Sequence, residues 1–402
     1  MTNPAIGEIN VDSRISTEPL PGAPLWEREE LIFNGDTFYR RIASLIDSAT
    51  KTIDIECYYF AVDRAGELIF RHLLQASRRG VAVRLIVDGI GSLGWAWRYE
   101  QRCRTGGIRF KIYHQLPWAR MLFDRPEIEE RSRSFFDFIY RINKRNHRKV
   151  FLFDQQIAVV GSRNITEVHA EQWKRNQAWR DTSILVEGTE VRTLQATFDY
   201  IWNSHRLRRR FTSAFRAKPA SLSGLLVRHN LSRATRRKNY ADLLARVGSA
   251  RSRIWITNAY FVPHRTLLDA LAAAAQRGCD VKILVPSASD IFFLPWATAA
   301  LQKGLLDAGS KVFEYLPSIL HAKTIIIDDW EIVGSSNLNH RSLFHDLETD
   351  VVVSRSATRT QLAAQFLRDL DVSREVSGSE WESRGLLWRV LGNLVLTFRW
   401  WF

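Results

Sequence analysis

Apolar residues in this chain gather into short, nearly continuous runs separated by longer stretches with helical spacing. Thr52-Ile-Asp-Ile-Glu-Cys-Tyr-Tyr-Phe60 reads as a strand, a helical stretch closes on Arg79-Gly80, and Val81-Ala-Val-Arg-Leu-Ile-Val-Asp88 reads as a second strand. The succession returns in the second half. Arg253-Ile-Trp-Ile-Thr-Asn-Ala-Tyr-Phe261 is followed by a helical stretch ending at Arg277-Gly278, and then by Cys279-Asp-Val-Lys-Ile-Leu-Val-Pro286. A comparable helix lies upstream of each, near Phe38–Ala49 and Tyr240–Ala250. Runs of Val, Ile and Leu between helices predict a sheet buried on both faces. The repetition predicts an internal duplication, hence two α/β lobes over residues 31–205 and 225–375. Residues 1–30 are left as a tail and 206–224 as a basic stretch, read as a solvated linker with anion binding as its alternative. The first lobe carries an extra segment at about residues 118–146, rich in aromatics and arginine, fit for a lid or a lipid contact.

Each lobe holds one copy of a polar pattern. The first is His147-Arg-Lys149-Val-Phe-Leu-Phe-Asp154 followed by Gly161-Ser162-Arg-Asn164. The second is His321-Ala-Lys323-Thr-Ile-Ile-Ile-Asp328 followed by Gly334-Ser335-Ser-Asn337. The run after each lysine marks a strand, and residues two apart on a strand face one side, so His and Lys project together. A turn at Gly-Ser then returns a hydroxyl and an amide. Each copy thus supplies an imidazole able to act as nucleophile, acid or base near neutral pH, a fixed cation, and neutral donors (Ser162 and Asn164, Ser335 and Asn337) for phosphoryl oxygens. Two copies facing each other would surround a phosphodiester. One imidazole would attack phosphorus while the other would protonate the departing alcohol and deprotonate the incoming one. Asp181 and Glu348, at comparable downstream positions, are the expected carboxylates that orient the two rings. Asp154 and Asp328 belong to the same motif as the catalytic residues, but at the end of an apolar strand each is expected to fix the turn or pair with a basic group.

Composition narrows the setting without naming the substrate. The 402 residues, 46% hydrophobic and 25% charged, suit a globular chain with two domains, and the net charge of +14 draws it to polyanions, whether nucleic acid or anionic lipid. Cys57, Cys103 and Cys279 are odd in number and lack a CxxC spacing, which argues against a disulfide framework or zinc site and for a reducing compartment. The first residues contain Glu8, Asp12 and Glu18 with no apolar core of a signal peptide, and no apolar run approaches the roughly 18–20 residues of a membrane span. Gly89-Ile-Gly91-Ser-Leu-Gly94 matches a dinucleotide fingerprint, but no acidic residue stands in Phe110–Tyr113, so it reads as a loop.

The duplicated pattern resembles the HxKxxxxD motif of the phospholipase D superfamily over nearly the whole chain. Within it the chain is most similar to bacterial cardiolipin synthases of the form without N-terminal membrane helices. Asp88-Gly-Ile-Gly-Ser92, Asn258-Ala-Tyr-Phe-Val-Pro263, Leu320-His-Ala-Lys323 and Gly334-Ser-Ser-Asn-Leu338 with Arg341-Ser-Leu343 carry the likeness. The resemblance implies two phospholipase D-like α/β/α sandwich lobes with the active site between them. It also implies chemistry with no metal and no cofactor, and a covalent intermediate on the first-lobe histidine. The implied reaction is transfer of a phosphatidyl group between two phosphatidylglycerol molecules, giving cardiolipin and glycerol. Asn339, His264 and the Gly-Ser of the first copy depart from residues the family often shows. The implied partners are phosphatidylglycerol and an anionic membrane surface, with a peripheral place on the cytoplasmic face of the bacterial inner membrane and no nucleic acid. A hydrolase using water as acceptor, or a phosphodiesterase acting on nucleic acid, would need the same side chains. The last segment, 381–402, reads as an amphipathic helix with Arg389, Asn393 and Thr397 on one face and aromatics around the rest, suited to a membrane interface, with packing on the second lobe as its alternative.

Overall fold

The computed structural model describes residues 26–115, 144–209, 224–383 and Leu396. The first lobe is a seven-stranded mixed sheet in the order β1-β7-β6-β5-β2-β3-β4. Its strands are β1 (Arg28–Ile32), β2 (Thr52–Cys57), β3 (Ala82–Asp88), β4 (Arg109–Tyr113), β5 (Val150–Phe153), β6 (Ile157–Gly161) and β7 (Ser183–Glu187). Strands β2, β3 and β4 are parallel, and β5 pairs antiparallel to β2 with Ile53 opposite Phe153. The second lobe repeats this with β8 (Val227–His229), β9 (Arg253–Asn258), β10 (Asp280–Pro286), β11 (Lys311–Tyr315), β12 (Lys323–Ile327), β13 (Trp330–Gly334) and β14 (Thr349–Val353), and adds β15 (Ser373–Glu375) at the edge. Helices intervene at equivalent places: α1 (Gly35–Ser48), α2 (Arg64–Arg78), α3 (Trp95–Thr105) and α4 (Val191–Arg209) in the first lobe; α5 (Arg233–Ser249), α6 (Arg265–Gln276), α7 (Leu294–Asp307) and α8 (Ser356–Asp371) in the second. The α/β class and the duplication read from the hydrophobic pattern therefore hold.

Local chemistry explains the element boundaries. Asn34 accepts from Thr37 N at 3.0 Å, Asp63 accepts from Gly66 N at 2.9 Å, and Ser232 with Thr235 forms a capping box at the start of α5. Two of the three departures from the family pattern are also caps: His264 accepts from Thr266 N at the start of α6, and Asn339 accepts from Ser342 N at 2.9 Å. Arg28, Glu29 and Glu30 hide a strand that the hydrophobic pattern does not show, so the first lobe begins inside the segment read as a tail. Trp26 is buried and its indole N–H donates to Val352 O in the other lobe at 3.0 Å.

In β2, Ile53 and Ile55 face α1 and α2, while Asp54 and Glu56 point the other way and are also buried. These charges are paired: Asp54 with Arg84 at 2.6 Å, and Glu56 with Arg148 at 2.9 Å. The inner face of the first sheet (Val150, Leu152, Val160) shares one hydrophobic cluster with Ile325, Ile326 and Val351 of the second. Backbone bonds cross the seam as well. His147 N donates to Leu347 O at 3.0 Å and Leu347 N to Arg145 O at 2.8 Å; His321 N donates to Arg180 O at 2.8 Å and Arg180 N to Ile319 O at 2.9 Å. Each histidine motif is thereby stitched at its N-terminal end to the opposite lobe.

Cys57, Cys103 and Cys279 are unbridged and buried. Among the described residues no helix is long and apolar enough to cross a membrane. The aromatic and arginine-rich insertion and the basic linker fall almost entirely outside the described residues, as does the C-terminal amphipathic segment apart from residues 381–383 and Leu396.

Candidate active site

His147 and His321 leave the N-terminal ends of β5 and β12. Because β5 and β12 run antiparallel to β2 and β9, both histidines lie at the C-terminal ends of the parallel strands. Their side chains retain 12% and 4% exposure. The orienting carboxylates are exchanged between the lobes. Glu348 of the second lobe holds His147 Nδ1 at 2.9 Å, and Asp181 of the first lobe holds His321 Nδ1 at 2.8 Å. With Nδ1 engaged, Nε2 of each ring is the nitrogen left for chemistry.

Burial lowers both imidazoles below the ordinary histidine range, and the neighbouring Lys149 and Lys323 push in the same direction, so both rings favour the neutral form. The lysine side chains curl back to the carbonyls of their own motif: Lys149 Nζ donates to His147 O at 2.7 Å, and Lys323 Nζ to His321 O. Burial brings Lys149 down to about 8 and Lys323 to about 7. Glu348 and Asp181 pull both lysines the other way, and an anion bound beside them would favour the ammonium forms further. The carboxylates differ from each other. Burial raises Glu348 to about 7 against the pull of Lys149, Ser335 and Ser342. In Asp181 burial acts the same way but is outweighed by His321, and its carboxyl is held well below the usual range.

Ser162 and Ser335, expected to hold phosphoryl oxygens, are turned instead toward the carboxylate segments. Ser162 Oγ donates to Asp181, and Ser335 Oγ accepts from Thr349 N at 3.0 Å while lying beside Glu348. Both are fully buried, so their hydroxyls brace the orienting groups and do not line the cleft. Asn164 fits the donor role better: its Oδ1 accepts from Tyr59 N at 3.2 Å, which directs its NH2 away from that contact. Asn337 presents an amide oxygen, Oδ1, that is buried with no hydrogen-bond partner among the described residues. The glycines of the motif are dictated by the next strand: a Cβ on Gly161 would stand 2.6 Å from Thr182 O, and one on Gly334 2.0 Å from an Asp350 carboxylate oxygen.

Asp154 and Asp328, which the motif groups with the catalytic residues, fix turns, as their place at the strand ends leads one to expect. Each sits beyond the far end of its strand, about 20 Å from its histidine at ~3.3 Å per residue, with positive φ (51° and 49°). Asp154 accepts from Thr50, Lys51 and Thr52 N at 2.7–2.9 Å, and Asp328 from Arg251, Ser252 and Arg253 N at 2.9 Å. They tie the turn after β5 or β12 to the start of β2 or β9.

Three further residues belong to the site although the motif does not announce them. Tyr58 lies edge-on to His147 at 5.0 Å with Lys149 Nζ 5.3 Å from its ring, and Tyr260 stands 6.2 Å from His321 with Lys323 Nζ 5.6 Å from its ring. They follow equivalent strands but occupy different offsets, so the internal repeat could not have paired them. His169 is buried, accepts from Asn164 N through Nε2 at 3.4 Å, and places Nδ1 3.5 Å from Asp181. Its counterpart is Ser342, whose Oγ accepts from Asn337 N at 3.1 Å and donates to Glu348. A short carboxylate is thus combined with a long partner in one lobe and a long carboxylate with a short partner in the other. The signal was available as matching offsets of five residues from Asn164 and from Asn337.

His169, Asp181 and His321 are also the set among the described residues whose donor atoms, all within 4.8 Å, could hold a metal. The fit is poor. Asp181 already accepts from Ser162 and Thr182, Nε2 of His169 is engaged with backbone, and Arg163 and Lys323 add positive charge nearby.

The family model described as "Cardiolipin synthase, PLD-like domain" matches residues 42–202 and 243–370. A cardiolipin synthase of Staphylococcus aureus strain N315 is 31% identical over 349 residues, spanning 85% of this chain and 67% of that protein. One of Clostridium perfringens strain SM101 is 29% identical over 376 residues, spanning 91% of this chain and 75% of that protein. Among solved structures, phosphatidylserine synthase from Haemophilus influenzae Rd KW20 superposes with a TM-score of 0.69 at 16% identity, covering 93% of this chain and 94% of that one, a likeness of fold. Two matched halves, each bearing a complete histidine–lysine motif, place this chain in the cardiolipin synthase family of phospholipase D-like proteins.

Proposed function

We propose that the protein transfers a phosphatidyl group from one phosphatidylglycerol to the hydroxyl of another through a phosphohistidine intermediate, without a metal. The observation that carries this reading is the crossed pair of dyads, His147–Glu348 and His321–Asp181, each bracing a neutral imidazole whose Nε2 is left for chemistry beside a buried lysine. His147 Nε2 attacks phosphorus as the bond to the departing glycerol oxygen breaks. His321, neutral before substrate binds, takes up a proton when the anionic phosphodiester binds beside it and Asp181, and delivers that proton from Nε2 to the glycerol oxygen. His321, now neutral, then takes the proton of the incoming lipid hydroxyl, whose oxygen displaces His147 and forms cardiolipin. Lys149, Lys323, Asn164 and Asn337 hold the non-bridging oxygens as charge builds on them. The choice of His147 as nucleophile follows the family resemblance. Support for a lipid acceptor comes from the cardiolipin synthases of Staphylococcus aureus and Clostridium perfringens. The proposed setting is peripheral, on the cytoplasmic face of the inner membrane.

The test is product analysis with phosphatidylglycerol vesicles and, separately, labelled DNA, in chelator-treated buffer. Cardiolipin and glycerol in equal amounts are expected, with loss of at least about 10³-fold in His147→Ala and in His321→Ala. Phosphatidic acid as sole product would make the protein a hydrolase, and cut DNA would make it a nuclease.

A further inference from the structure

A lipid phosphate can meet His147 and His321 only if the headgroup enters a nearly closed site while the acyl chains stay in an apolar phase, so the mouth of the site must rest on that phase. This argument stands on the reaction proposed above; the surface that satisfies it is visible independently.

Tyr58 from the first lobe and Tyr260 from the second stand beside His147 and His321, and both are partly exposed, so they mark the way into the site. From each tyrosine a tethered loop leads to exposed apolar side chains. In the first lobe, Ser92 Oγ donates to Tyr58 O at 3.0 Å and accepts from Phe60 N at 2.9 Å. The next residue, Leu93, is 41% exposed, and Trp97 in the first turn of α3 is 73% exposed. The loop is pressed onto Tyr58, since a Cβ on Gly91 would stand 2.3 Å from Tyr58 O. In the second lobe, Tyr260 Oη donates to the Asp290 carboxylate at 2.8 Å. Two residues on, Phe292 is 74% exposed, with its ring 5.9 Å from Trp296. These loops follow β3 and β10, equivalent strands of the two halves, so the duplication has set an apolar tip on either side of the cleft.

We propose that Leu93, Trp97 and Phe292 form a membrane-docking rim that seats the mouth of the active site on an anionic phospholipid bilayer. The bilayer is favoured over a second copy of the chain for two reasons. The chain's net charge of +14 complements anionic headgroups and would repel its own copy. Leu396 also packs at this edge, against Val262, Leu294 and Ala297, at the start of the helix that Phe292 precedes. Exposed aromatics beside basic charge suit the bilayer interface, where the rings enter the headgroup region.

The experiment compares wild type with Leu93→Ser/Phe292→Ser and with Trp97→Ser in three assays. These are co-sedimentation with phosphatidylglycerol vesicles, turnover of the same vesicles, and turnover of a short-chain phosphatidylglycerol below its micellar concentration. The variants should lose about tenfold or more in vesicle binding and in vesicle turnover, with short-chain turnover unchanged within about twofold. Unchanged vesicle binding in variants with wild-type melting temperatures would overturn the rim. So would equal losses on both substrates, or a wild-type dimer in sedimentation velocity that the variants dissolve. Because vesicle binding is measured without chemistry, a wild type that binds vesicles but makes no cardiolipin refutes the proposed reaction and leaves the rim standing.

Discussion

At the scale of single residues, the two halves of the site solve one problem with different side chains. Both must hold a carboxylate against a histidine Nδ1 and satisfy the backbone N–H of the motif asparagine. Asp181 does so with His169, and Glu348 with Ser342. His169→Ser alone therefore leaves a gap beside the shorter carboxylate and is expected to reduce kcat about tenfold or more with KM little changed. Adding Asp181→Glu rebuilds the second-lobe arrangement in the first and should restore most of the loss. Steady-state kinetics of the three variants decide it: losses that simply add would show that His169 and Asp181 do not act as a unit. The histidines, lysines and orienting carboxylates were legible in the sequence because two copies in register leave little room for coincidence. The crossing of the carboxylates was not, since spacing along a chain does not say which lobe a side chain will reach. The hydroxyls of Ser162 and Ser335 misled for a related reason: a Ser beside a motif Gly can face substrate or carboxylate, and only the fold chooses.

At the scale of elements, the apolar run after each motif lysine is both a strand and a ruler. It places the histidine at one end and the aspartate at the other, so Asp154 and Asp328 serve the fold while His147 and His321 serve the chemistry. Asp328 collects three backbone N–H groups at the turn before β9. Asp328→Ala should lower stability by about 1–3 kcal/mol through the loss of hydrogen bonds to a charged acceptor, read as a lower denaturant midpoint. Folded enzyme should keep turnover within about twofold. Near-wild-type stability with lost turnover would return Asp328 to the catalytic set. The central strands and their helices could be read from Val, Ile and Leu runs. Strand β1 could not, because three consecutive charged residues at a sheet edge look like a tail until the pairing with β7 is seen.

At the scale of the molecule, neither lobe contains a finished site. His147 takes both its side-chain partner and a backbone acceptor from the second lobe, and His321 takes both from the first. Arg148, fully buried, spans Glu56 in its own lobe and Thr349 in the other. The duplication is therefore a single cooperative unit, with shared apolar core and two reciprocal dyads, and the chemistry assigned to it needs both histidines in one turnover.

The most direct measurement is the capture of the covalent intermediate. Enzyme mixed with phosphatidylglycerol labelled at phosphorus is quenched in alkali, where phosphohistidine survives, and mapped by peptide mass spectrometry. The account expects an acid-labile label on His147 that unlabelled phosphatidylglycerol chases into cardiolipin, and none in His147→Ala. Cardiolipin formed at the full rate with no label on either His147 or His321 at any time would contradict it.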